Sequence, residues 1–425
     1  MKFGSIFLPV LLGICLLPLA GFASEPVVNV AQLAELTPSV RAANDWFGIS
    51  IAISGNTVVV GSFDPNIESY GFVYVYVKPS TGWQNMTQVA QLSTSNNATG
   101  FGASVAINGN TIIVGAANAS NFKHAGFYPS ASPGSAYVYV EPAGGWVNMT
   151  QSAELLASDG KSGDAFGASV AISENTVAVG APFAEDSSGN SFAGKSYVFS
   201  RPSGGWRGEL TETGQLTASD SQLLNYMGAS VAVSGSTIIA GAYGHNNFQG
   251  AAYVFAEPAS GWANMTQTAE LTASDGKGSD DFGFSAAVYE NTVVLGAPNG
   301  AKGNGAAYVF VEPAAGWANM TQTAELRAAN ATSGDSFGQS AGISGNYVVI
   351  GAPAANVGAN QLQGAAYLFI KPPAGWVNTA KATEVTAGDG AAFDDFGTSV
   401  AVSGASGVVG APASNVPGIA YVFGP

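Results

Sequence analysis

The chain has 425 residues, with 28 Asp and Glu against 13 Lys and Arg and a formal net charge of −15 at pH 7. That balance argues against nucleic acid or anionic lipid as a partner, because phosphate contacts need clustered Lys and Arg; cations, neutral glycans and basic proteins stay open. Charged residues are only 10% and glycine numbers 56, a composition that suits short strands and tight turns and leaves little for amphipathic helices.

Residues 1–23 read as an export signal: Lys2, an apolar stretch from Ile6 to Leu19, then Gly21-Phe22-Ala23 as a small-x-small cleavage site. The sole cysteine, Cys15, falls inside that stretch, so the mature chain is expected to be free of disulfides and to depend on packing. No later segment approaches the roughly 20 apolar residues that span a bilayer. The expected location is extracellular or periplasmic.

From there to the end the chain is a repeat. An apolar-Gly pair opens each copy, at Phe47-Gly48, Phe101-Gly102, Phe166-Gly167, Met227-Gly228, Phe282-Gly283, Phe337-Gly338 and Phe396-Gly397. A Ser follows two residues later, and a second Gly stands fourteen residues after the opening residue: Gly61, Gly115, Gly180, Gly241, Gly296, Gly351 and Gly410. Between them an alternating run, a short polar turn such as Ser54-Gly55-Asn56 and a denser apolar run predict strand a, a tight hairpin and strand b.

A third strand, c, carries aromatics two apart, as in Tyr253 and Phe255, so both rings share one face. Nine residues after the first aromatic comes Gly-Trp, at Trp83, Trp146, Trp206, Trp262, Trp317 and Trp376, and then strand d, ending in Leu or Val. Four strands per repeat make a propeller blade. The last copy stops at Tyr421-Val422-Phe423 without a d strand, while Ala34-Glu35-Leu36 supplies an unattached one before the first copy. The expected fold is therefore all-β: a seven-bladed β-propeller of four-stranded blades over residues 24–425, closed by an N-terminal strand at 30–37 that completes the C-terminal blade.

With Phe-Gly opening strand a, Ser two residues on and Gly-Ala-Pro closing strand b in four copies, the chain resembles the FG-GAP repeat family. That resemblance implies a seven-bladed propeller like the head of integrin α subunits, and adhesion or ligand binding. Integrin-type members expand a-to-b turns into Asp-x-Asp-x-Asp-Gly calcium loops. Here those turns are short and hold no Asp, so they cannot offer the six to eight oxygens Ca²⁺ prefers. Those calcium sites are not carried over.

Length variation falls between strands b and c, which a propeller presents together with the d-to-a connections on one rim. The candidate ligand residues are therefore Asn118, Asn121, Lys123, His124 and Tyr128 in the longest loop, Phe183 and Asp186 in the next, and Tyr243, His245 and Asn246 in the third. Acidic residues recur in the d-to-a connections. They are expected to cap turns, with cation binding as the functional alternative at Asp275, Asp280 and Asp281 and at Asp389, Asp394 and Asp395. Gly338-Gln339-Ser340-Ala341-Gly342 matches a hydrolase nucleophile elbow, but Ser340 holds a slot filled by Ser in every copy, where the hydroxyl is expected to bond backbone near the axis. The repeated tryptophans are expected to pack between blades. The Asn-Met-Thr sequences at Asn85, Asn148, Asn264 and Asn319 satisfy the glycosylation pattern and are also expected turn residues.

The expectation is an exported, non-enzymatic binding propeller for a glycan, matrix or protein ligand, with no cofactor beyond a possible Ca²⁺. The alternatives are a glycan lyase or hydrolase using the central funnel, and an assembly scaffold.

Overall fold

The structure is a computed structural model that describes residues 30–40, 45–63, 70–117, 132–413 and 417–425. Its strands form seven small sheets arranged as a seven-bladed β-propeller. In the fifth blade, for example, strands a to d are Ser285–Tyr289, Thr292–Ala297, Ala306–Val311 and Ala324–Leu326, each antiparallel to the one before. The hairpin between a and b turns on two residues, the first with φ near +50° (Gly55, Gly109, Glu174, Gly235, Glu290, Gly345 and Gly404). These are the short turns the sequence predicts.

Ring closure follows the expected rule. Ala31–Thr37 lies antiparallel to Ile419–Gly424, with Leu36 opposite Ala420, so this N-terminal strand finishes the last blade. The closing seam is held by packing of Trp83 and Phe47 with Val408, Ala420 and Val422, and at the axis by the Ser hydroxyls. Ser50 Oγ donates to Gly102 O at 2.7 Å, Ser285 Oγ to Gly338 O at 2.8 Å, and Ser399 Oγ to Gly48 O at 2.6 Å across the seam between last and first copies.

This close approach explains both repeated glycines. A Cβ on Gly296 would lie 1.9 Å from Gly338 O, and one on Gly61 would lie 2.2 Å from Gly102 O. The opening glycine takes φ of +88° at Gly283 and +102° at Gly338, a region closed to most side chains.

The core is divided among the seams. Trp376 of the sixth blade is buried with Val294, Val309 and Leu326 of the fifth and with Ile343, Ile350 and Phe369 of its own blade. The opening Phe337 meets Tyr367 and Phe369 edge-on at 5.4 and 6.1 Å, and equivalent pairs recur around the ring.

The four strands of a blade gain a neighbour from the next copy at five of the seven outer edges. Met86–Thr87, Met149–Thr150, Gly208–Thr211, Met265–Thr266 and Met320–Thr321 each add a fifth, parallel strand to the outer edge of the preceding blade, giving five five-stranded and two four-stranded sheets among the described residues. The Asn heading most of these segments is more than a turn residue. Asn319 Oδ1 accepts the Glu270 N–H at 2.9 Å, and Asn85, Asn148, Asn264 and Asn378 do the same for their neighbours. Blade is thus fastened to blade at the axis by Ser and at the rim by Asn.

Candidate functional site

The b-to-c and d-to-a connections share one face, as single parallel bridges between their ends show: Gly194 with Met227, Gly250 with Phe282, Gly305 with Phe337 and Gly364 with Phe396. On this face a second motif recurs. The first Tyr of strand c donates its hydroxyl to an Asp from the preceding blade, Tyr197 to Asp159 at 2.9 Å, Tyr253 to Asp220 at 2.9 Å, Tyr308 to Asp275 at 3.1 Å and Tyr421 to Asp389 at 3.0 Å. Burial, then the neighbouring carboxylate, pushes these phenols well above their usual range.

What stands beside each Tyr–Asp pair differs. Lys195 Nζ is 2.6 Å from Asp159, His245 Nε2 is 3.7 Å from Asp220, and Arg327 Nη2 is 3.6 Å from Asp275. Asp275 and Asp280 share a cleft of about 400 Å³ with Lys277, Lys302 and Arg327. Asp389 and Asp394 share one of about 350 Å³ with Ala411, Pro417 and Tyr421, and no Lys or Arg lines it among the described residues. One backbone geometry therefore carries a neutralised pocket in one blade and an anionic one in another.

Five of the six acids proposed as cation ligands, Asp275, Asp280, Asp281, Asp389 and Asp394, are individually engaged. Asp280 accepts the Lys277 N–H at 2.7 Å and Asp394 the Ala391 N–H at 2.6 Å, and Asp164 and Asp335 repeat the bond at Lys161 and Thr332. This is turn capping. Asp281 accepts from Asn299 Nδ2 at 2.6 Å. Burial raises the carboxyls of Asp281 and Asp395 to about 6. Among the described residues, the group that offers three ligand atoms within 4.8 Å of one another is Asp220, His245 and Glu270. His245 Nε2 is 4.0 Å from Glu270, whose carboxyl is raised by burial and then by Asp220. These three could hold a small divalent cation. In the neighbouring blades Lys195 and Arg327 are the groups that stand beside the corresponding Asp.

Of the remaining candidates, Asn118, Asn121, Lys123, His124 and Tyr128 lie outside the described residues. Phe183 is buried against Ala165 and Ala168. Asp186 ties its own loop, accepting from the Ser188 and Asn190 N–H groups at 2.8 and 2.9 Å. Asn246 is exposed, in a left-handed conformation, and donates to Gln249 at 2.6 Å. Tyr243 is half-buried and stacks on Tyr226 with centroids 5.1 Å apart and planes 9° apart.

That stack belongs to a larger aromatic belt. Phe183 and Phe192 meet Tyr226 at 5.9 and 6.2 Å, while Tyr243 meets Phe248 at 6.2 Å and Phe284 at 5.5 Å. Phe284 also lines the central opening. Sequence reading missed Phe192, Tyr226, Phe248 and Phe284. The available signal was that Tyr226 and Phe284 flank apolar-Gly pairs where most other copies carry small or polar residues, such as Ser336 and Gln339, the first copy with Trp46 and Ile49 being the exception. Tyr226, Phe192 and Phe248 also take positive φ, at +57°, +56° and +62°, conformations that non-glycine residues hold only when their surroundings impose them. Besides Phe284, Gln339 and Thr398, the central opening is lined by aliphatic side chains and the seven Ser, whose hydroxyls are committed to glycine carbonyls. Ser340 is therefore a structural hydroxyl.

Taken together these features define a repeat propeller, fastened identically at its axis and varied on one loop face. The FG-GAP repeat model matches residues 30–76, 86–139, 149–199, 210–255, 265–310, 320–369 and 376–423, and the chain belongs to that family. No curated protein matches the chain. Among the described residues, no helix is long and apolar enough to cross a membrane.

Proposed function

We propose that the chain is an exported, non-enzymatic binding propeller that recognises a glycan through the loop face of blades three to five. The stacked pair Tyr226 and Tyr243 carries the reading, because half-buried aromatic faces beside amides and carboxylates match the apolar face and hydroxyl rim of a sugar ring. His245, Asn246 and Asp281 stand in the adjoining loops and supply the polar partners. The short a-to-b turns support recognition that is independent of calcium.

A glycan array on the mature protein, run with calcium and with chelator, tests this directly. Bound glycans should be the same in both arms, and Tyr226→Ala or Tyr243→Ala should weaken binding by at least about tenfold, the loss of one good stacking contact. Retention of no glycan, or undiminished binding by both variants, would sink the proposal.

One observation favours an enzymatic reading. His245 Nδ1 lies 3.3 Å from the Tyr253 hydroxyl, with Asp220 and Glu270 beside it, groups able to move a proton. Cleavage of an array-positive glycan that is abolished by His245→Ala would select that reading over simple binding.

A further inference from the structure

In the fourth blade, strand c (Ala251–Ala256) sets Tyr253 opposite Glu270 of strand d, and the Tyr253 hydroxyl donates to Asp220 in the preceding d-to-a turn. The fifth blade repeats this frame, with Tyr308 opposite Glu325 and donating to Asp275. Each frame brings an Asp and a Glu to one phenol, and two carboxylates sharing a site repel unless a cation stands between them. In the fifth blade the Arg327 guanidinium is that cation, 3.6 Å from Asp275 and in contact with Glu325. In the fourth, no Lys or Arg pairs with Asp220 or Glu270 among the described residues. The nitrogen near both acids is His245 Nε2, 3.7 Å from Asp220 Oδ2 and 4.0 Å from Glu270 Oε1.

The hydrogens around His245 decide what Nε2 can do. Tyr253 has one hydroxyl hydrogen and gives it to Asp220 at 2.9 Å, so its 3.3 Å contact with His245 Nδ1 is made by a hydrogen on Nδ1. In the neutral ring Nε2 is then a bare lone pair close to two anionic groups. Separations of 3.7 and 4.0 Å are too long for hydrogen bonds. They approach the roughly 3.4 Å between two ligand atoms of a tetrahedral zinc whose bonds are about 2.0–2.2 Å. All three ligand atoms already lie within 4.8 Å of one another, so about 1 Å of side-chain movement completes the geometry.

We propose that Asp220, His245 and Glu270 form a Zn²⁺ site, with Tyr253 as the positioning residue that fixes the His245 tautomer and ties it to Asp220. One nitrogen and two carboxylate oxygens suit zinc rather than Ca²⁺ or Mg²⁺, which take six or more oxygens. The ligands stand on fixed backbone: Glu270 lies in a strand ladder, and the His245 loop is closed by the Gly250 N–H on the His245 carbonyl at 3.0 Å. The side chains of Asp220 and Glu270 are 37% and 24% exposed, which leaves a fourth position open to water. The inference stands apart from the sugar reading, because metal binding reads it without any glycan.

Zinc titrated calorimetrically into the full chain at neutral pH should bind one ion per chain with a Kd of about 1 µM or tighter. His245→Ala should weaken binding by at least about 100-fold, and Tyr253→Phe, which keeps the ring and loses only the hydroxyl, by about 10- to 100-fold. Asp389→Asn, in an acidic cleft of another blade, should bind zinc as the parent does. The proposal fails if zinc binds no tighter than Mg²⁺, or if either His245→Ala or Tyr253→Phe keeps the parent affinity. It also fails if Asp389→Asn loses as much as His245→Ala, since the ion would then be held by diffuse acidic charge. Should His245→Ala not fold, Glu270→Gln replaces it, with the same loss expected and unchanged affinity again fatal.

Discussion

The axis and the loop face use the same seven repeats in opposite ways. At the axis every copy places the same Ser hydroxyl on the same glycine carbonyl, and the space between blades is too small for a single methyl group. On the loop face the Tyr–Asp pair recurs, but its neighbour is Lys195, His245 or Arg327, or, beside Asp389, no Lys or Arg among the described residues of the cleft. Positions fixed by packing cannot carry specificity. Specificity has to reside where the backbone geometry persists and the side chain is free to change.

The largest expected effect tests the axis. Gly296→Ala would drive a Cβ to 1.9 Å from Gly338 O, and because backbone on both sides cannot yield, destabilisation of about 3 kcal/mol or more, or failure to fold, should follow. Gly345, at a hairpin tip, meets nothing within 4 Å and differs only in its φ of +58°. Its Ala variant should lose about 1–2 kcal/mol. Urea unfolding of the pair checks the contrast, and equal losses would mean that the axis is no tighter than the tips.

Next in size is the seam. Trp317→Ala removes an indole buried among residues of blades four and five and should cost about 3–5 kcal/mol by urea midpoint. Ser285→Ala follows, leaving the Gly338 carbonyl without its 2.8 Å partner at a cost of about 1–3 kcal/mol. Neither change touches the loop face, so glycan retention by the folded fraction of each variant should match the parent; loss of retention would couple the two regions.

The repeat made the architecture legible because alternation, turn residues and fixed spacings are local signals, and the split last blade could be read from which strands each end lacks. What escaped was assembled between copies. Met320–Thr321 is too short to show a period, and it becomes a strand only because Leu271 of the preceding blade offers an edge. Tyr226 and Tyr243 belong to different segments of one loop face and stack through a fold-level juxtaposition. His245, Asp220 and Glu270 likewise come from a b-to-c loop, a d-to-a turn and the strand Ala269–Thr272. Residue types were visible in each case; the distance between them was not.

The smallest expected effect sets the acids of the loop face against the neutral axis. Burial raises the Asp281 carboxyl to about 6, with the Asn299 amide lowering it and Asp280 raising it, against about 3.9 in an unfolded chain. Between those values the folded state holds more protons than the unfolded state, so this group's contribution is fully present below about pH 4 and is lost as pH rises to about 6. Asp395 has the same sign, whereas the lowered carboxyls of Asp159 and Asp186 act oppositely, so the readout must be variant against parent. Asn at 281 keeps an acceptor for Asn299 and suits the φ of +58°. Asp281→Asn should therefore melt above the parent at pH 7, with the gap narrowing toward pH 4. A gap that is constant with pH would show that the carboxyl titrates normally, and that the loop face tolerates a buried charge as readily as the axis tolerates its paired hydroxyls.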